Sequence, residues 1–278
     1  MAFGGNPVFA NNKSFSDKPP VAMTPQGYAQ QGTQPPLYSQ EQLEQMYQQP
    51  SASNGQMRRM TYDDVLMKTL ACLGLVLLGG LVGWMFPVVT LPAAIAGLVL
   101  GLVNAFRKEP SKPLILAYAA VQGLFVGGLT MILESRFPGI AVQAVLGTAV
   151  VFGLTLALFK FGNFRATPKM VKFFTIALGA YLIFSLLNFG LVMFGAIESP
   201  WGMRGIEIAG IPLGVIIGIV AIGLAAFSLI MDFTSIEQGV QNGLPEKYSW
   251  SAAFGLTVTV VWLYVEILRL LAILRGDN

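Results

Sequence analysis

The chain has 278 residues, of which 54% are hydrophobic and only 11% are charged, and its formal net charge is +3. One globular core cannot bury so much apolar side chain, so the composition excludes a mainly soluble protein and indicates a lipid bilayer as the surrounding medium. The few basic residues lie in short segments between apolar runs and form no basic stripe, so we expect no nucleic-acid partner.

The first 57 residues differ in composition from the rest, because Gln, Pro, Ser, Asn and Gly dominate and aliphatic residues are sparse. A segment of this kind buries too little apolar surface to offset the entropy lost on ordering. The sequence therefore predicts a disordered, Gln/Pro-rich cytoplasmic tail at 1–57. A single membrane domain is expected at 58–278.

Seven apolar runs follow the tail, and each approaches or exceeds the roughly 20 residues that cross a hydrocarbon core. These runs are Val65–Phe86, Val88–Phe106, Leu114–Leu133, Ile140–Leu158, Val171–Phe194, Ile211–Met231 and Ala252–Leu274. Thr61 precedes the first run as a helix N-cap, and Asp63 and Asp64 complement the positive start of that helix. The sequence predicts an all-α membrane protein whose seven transmembrane helices form one bundle.

The basic residues orient these spans because they concentrate in alternate connections. One set lies before the first run and after the second and fourth: Arg58, Arg59, Arg107, Lys108, Lys112, Lys160, Arg165, Lys169 and Lys172. The connections after the third and fifth runs have only Arg136 and Arg204. By the positive-inside rule, we expect a multi-pass protein of the cell membrane with a cytoplasmic N-terminus and a C-terminus outside.

Signatures of common enzymes are absent from the sequence. It has no GxSxG, HExxH or CxxC motif and no Walker loop, and it contains no histidine. The single cysteine, Cys72, lies inside the first apolar run. We therefore expect no enzymatic activity and no cofactor, and any response to pH near neutrality must come from carboxylates.

Two carboxylates, Asp232 and Glu266, lie in the last two apolar segments. A charged side chain in hydrocarbon costs at least ~2.5–3.5 kcal/mol, so an acid at that depth is a candidate functional residue. Two carboxylates in one low-dielectric site cannot both ionise cheaply, so they would share a proton or bind a hard cation such as calcium.

Simpler interpretations of both acids remain open. Asp232 could be a hydrated helix end, and Glu266 could form an ion pair with Arg269 three residues later. Placing the two acids at one level requires a helix turn near Ser249, whereas Gly243-Leu244-Pro245 indicates an earlier turn. An irregular segment at 238–248 would then have to absorb the offset.

The two acidic segments also suggest a relationship to a known family. Asp232 lies in the stretch Leu-Ile-Met-Asp-Phe-Thr-Ser-Ile, and Glu266 lies in Trp-Leu-Tyr-Val-Glu-Ile-Leu-Arg-Leu-Leu. Together with the seven runs, these stretches resemble the closing motifs of the Bax inhibitor-1 family. The resemblance covers roughly residues 60–275, and the amino-acid sequence of these stretches is most similar to that of the bacterial YccA-like members.

The resemblance implies that an acid pair between helices six and seven senses protons and gates a calcium-permeable path. Asp232 and Glu266 match that pair and would be transient calcium ligands. Arg107 is the approximate counterpart of the family's pairing arginine. Gln122 stands where related chains often have an acid.

Two functional hypotheses follow from the sequence. The first is a pH-sensitive cation (calcium) leak channel. The alternative, which the YccA resemblance suggests, is a regulatory protein that binds and restrains a membrane protease or another membrane complex.

Overall fold

Seven long helices account for most of the computed structural model, which describes residues 58–162, 164–197, 199 and 201–276. The helices are α1 (Tyr62–Met85), α2 (Thr90–Phe106), α3 (Lys112–Glu134), α4 (Ile140–Phe161), α5 (Pro168–Met193), α6 (Leu213–Gln241) and α7 (Ser249–Gly276). Each is long and apolar enough to cross a membrane, with the spans of α2 and α7 counted from Pro87 and Glu246, where a one-turn helix precedes each. The prediction of an all-α, seven-span membrane protein is confirmed, whereas the tail predicted at 1–57 lies outside the described residues.

Short elements occupy several connections between the helices. One-turn 3₁₀ helices lie at Pro87–Val89, Gly202–Gly205 and Glu246–Tyr248. Two strands of two residues each, β1 (Glu207–Ile208) and β2 (Ile211–Pro212), pair in antiparallel orientation. We call the end of the bundle where α1 begins the tail end, and the opposite end the far end. The connections after α2, α4 and α6 lie at the tail end, and those after α1, α3 and α5 lie at the far end.

Helix α1 begins as its sequence predicts. The Thr61 hydroxyl accepts a hydrogen bond of 3.2 Å from the backbone N–H of Asp64. Asp63 and Asp64 both lie in the first turn, where their charges oppose the positive end of the helix dipole. The N-cap prediction is therefore confirmed.

Helices α1 and α3 pack closely because glycines face each other. A Cβ added at Gly79, Gly83, Gly123 or Gly127 would collide with backbone atoms of the opposite helix. Small residues permit such close backbone approach, which favours helix association in lipid through dispersion contacts. Glycines at this interface therefore serve packing within one bundle.

Burial differs sharply between the helices. Among the seven, α7 is the most buried and α5 is the least. Only Val171 and Phe174 of α5 are buried, whereas α7 packs against α6, α1 and α4. Helix α7 is thus the centre of the bundle, and α5 stands at its edge.

The turn between α6 and α7 sets the relative register of these two helices. Helix α6 ends in a Schellman motif, in which Leu244 N–H donates to Gly239 C=O and Gly243 N–H donates to Val240 C=O, both at 3.0 Å. Gly243 has φ 62°, a left-handed conformation that glycine adopts without a Cβ penalty. Residues 238–241 are helical, so the irregular segment considered at 238–248 is shorter than expected.

Candidate functional site

Asp232 lies inside α6, and its side chain is 0% exposed. Helix α6 continues for nine residues beyond it, to Gln241. The interpretation of Asp232 as a hydrated helix end is therefore wrong. The reason is that α7 packs along α6 and covers this position, which hydropathy alone does not reveal.

A threonine of α7 contacts the Asp232 carboxylate. The Thr259 hydroxyl donates to Asp232 Oδ2 over 2.6 Å and lies 3.1 Å from the backbone oxygen of Gly255. Thr259 is itself 2% exposed. Because the early turn is centred near Pro245, α6 and α7 place Asp232 opposite Thr259.

Glu266 lies in α7 and is also buried, with 2% of its surface exposed. Its Oε1 accepts hydrogen bonds from Arg269 Nη1 at 2.9 Å, from Trp262 Nε1 at 3.3 Å and from the Tyr181 hydroxyl of α5. Its Oε2 lies 3.1 Å from Arg269 Nη1. The local ion pair between Glu266 and Arg269 is thus present.

A second arginine, Arg204, approaches Glu266 from the connection after α5. Its Nη1 lies 3.8 Å from Glu266 Oε2, and its side chain is 4% exposed. Its Nη2 donates to the Tyr181 hydroxyl at 3.2 Å and to the Ser185 hydroxyl at 3.1 Å. Tyr181 also accepts from Arg269 Nη1 at 3.2 Å, so one tyrosine links both arginines to the glutamate.

The choice of Arg107 as a charge partner is wrong for Glu266. Arg107 follows α2 at the tail end and is exposed. The group formed by Glu266, Arg269, Arg204 and Tyr181, which we call the Glu266 cluster, belongs to the far half of the bundle. The sequence places Arg204 only among the sparse charges of the connections after the third and fifth apolar runs. Its isolation between Trp201 and an apolar run is the one signal that could have indicated a buried role.

Asp232 of α6 and Glu266 of α7 lie at different levels of the bundle. Thr259, the partner of Asp232, precedes Glu266 by seven residues, which corresponds to two turns and a rise of roughly 10 Å on the same helix face. Trp262 lies between them and donates to Glu266. The hydrogen bonds described for the two carboxylates thus come from different groups. That they share one proton stays a prediction.

The Glu266 cluster borders a cleft of about 650 Å³ between α3, α5 and α7. Tyr181, Ser185 and Arg204 line one side, and Glu266 and Arg269 line another. Asn188 closes the far end, because its Nδ2 donates to the Trp201 carbonyl and its Oδ1 accepts from Met203 N–H. Polar side chains on α5 thus connect this sparsely packed helix to the rest of the site.

The charge balance of the cluster bears on calcium binding. With Glu266 ionised, two guanidinium groups and one carboxylate leave a formal charge of +1, which disfavours a cation beside Glu266. Among residues 58–276 as far as they are described, no group of three or more His, Cys, Asp or Glu side chains is arranged to hold a metal ion.

Fold and site together define a multi-pass integral membrane protein with acids buried among its last two helices. The chain belongs to the Bax inhibitor family, because a family model described as Bax inhibitor 1 like matches residues 6–276. A search of curated proteins found no match to the chain. Membership of the YccA-like branch stays a prediction.

Proposed function

We propose that this protein is a pH-sensitive cation leak channel, with calcium as the permeant ion, gated by the two acids of α6 and α7. One observation carries the proposal. Asp232 is fully buried within a membrane-spanning helix, and the neutral hydroxyl of Thr259 on the neighbouring span donates to its carboxylate at 2.6 Å. Such an acid is costly in hydrocarbon, and intramembrane acids of this kind mark ion and proton pathways.

The Thr259 hydroxyl suits a carboxyl group that exchanges a proton. A threonine hydroxyl has one proton to donate and can also accept. If Asp232 is protonated, its O–H donates to Thr259, and Thr259 donates to the Gly255 carbonyl, so both short contacts are satisfied. If Asp232 is ionised, Thr259 turns its only proton to the carboxylate and the Gly255 contact loses its donor.

This difference gives the proposed gate its direction. The closed state, in which the hydrogen bond joins α6 to α7, binds more protons than the open state. Raising pH therefore favours ionised Asp232, separation of the two helices and cation entry, whereas acidification favours closure. An ionised carboxylate also supplies the oxygen ligands that calcium prefers.

The Glu266 cluster has a different role in this proposal. Two arginines and the Tyr181 hydroxyl stabilise the ionised carboxylate of Glu266 and connect α5 to α7. The cluster fixes the far half of the path, and Asp232 provides the cation ligand. Glu266 contributes to the pH response indirectly, because its contacts fix the position of α7, which carries the Thr259 partner of Asp232.

Calcium flux into liposomes that contain only the purified protein tests the channel. We expect flux that rises with pH, a flattened pH profile for Asp232→Asn and for Glu266→Gln, and little further change in the double variant. Asp63→Asn, at an exposed helix start, is the control and should retain the wild-type profile. Wild-type profiles in both single variants would show that these acids are not the sensor.

The alternative function has its own signature in the same preparation. A regulator that restrains a membrane protease or another membrane complex would give no flux in liposomes but would co-purify with a stable partner. Deletion of residues 1–57 separates the two further, because a channel should tolerate that loss.

We also propose that the tail end of the bundle faces the cytoplasm, on the strength of its basic connections. Single cysteines introduced at Glu109 and Glu207, combined with Cys72→Ala, test this orientation by labelling in intact cells. Labelling at Glu207 but not at Glu109 is expected. The reverse pattern would contradict the proposal.

A further inference from the structure

The Glu266 cluster contains more positive than negative charge. Arg204 is buried, with 4% of its surface exposed, and its Nη1 lies 3.8 Å from Glu266 Oε2, beyond hydrogen-bond distance. In the part of the chain that the structure describes, no acceptor lies within hydrogen-bond distance of this Nη1. A buried charged donor without an acceptor is costly, so an anionic group that accepts from Arg204 would stabilise the site.

The cleft beside Arg204 has room for such a group. Its volume of about 650 Å³ falls within the range of small-molecule sites. Most of its lining is apolar or aromatic, including Phe125, Leu182, Phe189 and Val265. The anion that fits this cleft therefore has an apolar portion.

The cleft also opens towards the outside of the bundle. Leu182 and Phe189 belong to its lining, yet they are 52% and 60% exposed. Both lie on α5, the least buried span, so this opening faces acyl chains when the helices cross a bilayer. Arg204, in the connection after α5, lies near the end of the span, where a lipid headgroup would be found.

We propose that this cleft is a binding site for an anionic phospholipid. A headgroup phosphate oxygen accepts from Arg204 Nη1, and an acyl chain runs along Leu182 and Phe189 between α3 and α5. A free phosphate offers the same anionic chemistry but would leave the apolar lining empty. The inference goes beyond the proposed channel and does not depend on ion conduction.

Lipid retention by the purified protein tests this site. The full chain, extracted from vesicles of equal parts phosphatidylglycerol and phosphatidylcholine, is analysed by native mass spectrometry. We expect preferential retention of one phosphatidylglycerol and at least a tenfold loss in Arg204→Gln. Arg275→Gln is the matched control, because Arg275 is an arginine of the far end that contacts backbone carbonyls of Phe137 and Pro138.

A second pair of variants avoids disturbing the buried ion pairs. Leu182→Trp should narrow the cleft opening and reduce retention, whereas Leu186→Trp, one turn further along the exposed face of α5 and outside the cleft lining, should not. Equal effects of the two tryptophans would overturn the proposed acyl position. Equal retention of both lipids by the wild type would overturn the site.

Inorganic phosphate distinguishes the two sources of the anion. We expect that millimolar phosphate neither displaces phosphatidylglycerol nor raises the unfolding temperature of delipidated protein. Stabilisation by phosphate to the level reached with the lipid would overturn the lipid assignment. None of these measurements uses flux, so the failure of this site and the failure of the channel are separate outcomes.

Discussion

Asp232 and Glu266 are both buried acids in transmembrane helices, but the contacts described for them differ in charge. The hydrogen bond described at Asp232 comes from the neutral hydroxyl of Thr259. Glu266 has two arginines, a tyrosine and a tryptophan as its contacts. Guanidinium groups stabilise an ionised carboxylate, whereas a hydroxyl can serve either protonation state. Burial alone therefore does not define a proton-sensing acid.

The largest expected effect on the free energy of unfolding comes from removing the charge of Glu266, which lies between two arginines. Glu266→Gln leaves Arg204 and Arg269 without their carboxylate, and breaking a buried ion pair costs about 3–5 kcal/mol. We expect a loss of unfolding free energy of this size in detergent, measured by denaturant titration. Glu237→Gln is the control, because its partner Arg165 is about one-third exposed, and the effect there should be far smaller. Equal losses in the two variants would remove the distinction between the sites.

The next largest effect on the free energy of unfolding is expected at Thr259, whose hydroxyl donates to Asp232. Thr259→Val removes the donor to Asp232, and leaving a buried polar group without this partner costs about 1–3 kcal/mol. Thr259→Ser keeps the hydroxyl and should restore most of the unfolding free energy. Thr257→Val is the matched control, since the Thr257 hydroxyl donates to the Ala253 carbonyl of its own helix and its hydrogen bond across to α1 involves the Cys72 thiol and not a carboxylate. A cost at Thr257 as large as that at Thr259 would contradict a special role for the Asp232 contact.

A smaller change in stability is expected at Asp232 itself. Asp232→Asn keeps an oxygen that accepts from Thr259 and removes the charge, so the unfolding free energy should change by less than about 1 kcal/mol. Denaturant titration of Asp232→Asn and Glu266→Gln under the same conditions compares the unfolding free energies of the two variants directly. A loss at Asp232 that equals the loss at Glu266 would mean that the Asp232 carboxylate is compensated by charge as well.

The smallest effect belongs to an acid outside the membrane spans. A hydrogen bond from Lys247 and the attraction of its charge hold the pKa of exposed Glu109 below its usual value. Because the folded pKa is lowered, the pair stabilises the fold above the unfolded pKa, and this contribution disappears as pH falls through the folded pKa. Glu109→Gln should leave the unfolding temperature almost unchanged at pH 7, measured by differential scanning fluorimetry. A large shift would show that exposure does not weaken this pair.

Local sequence patterns were sufficient to predict the membrane-spanning helices and the ion pair between Glu266 and Arg269. Hydrocarbon requires about 20 apolar residues per helix, a property that can be counted along the chain. Glu266 and Arg269 are three residues apart, which places them on one helix face whatever surrounds them. The N-cap at Thr61 also depends only on its neighbours.

The remaining contacts depended on how the helices pack. Arg204 and Glu266 meet across 62 residues (266 − 204), and Asp232 meets Thr259 across 27 (259 − 232). The Gly243-Leu244-Pro245 turn indicates the register of α6 and α7, but Arg107 and Arg204 look alike as basic residues in connections. Only tertiary structure decides which of them is buried beside Glu266. The physical reason is that burial and charge compensation depend on the packing of α5, α6 and α7, whereas the helices themselves follow from apolar length.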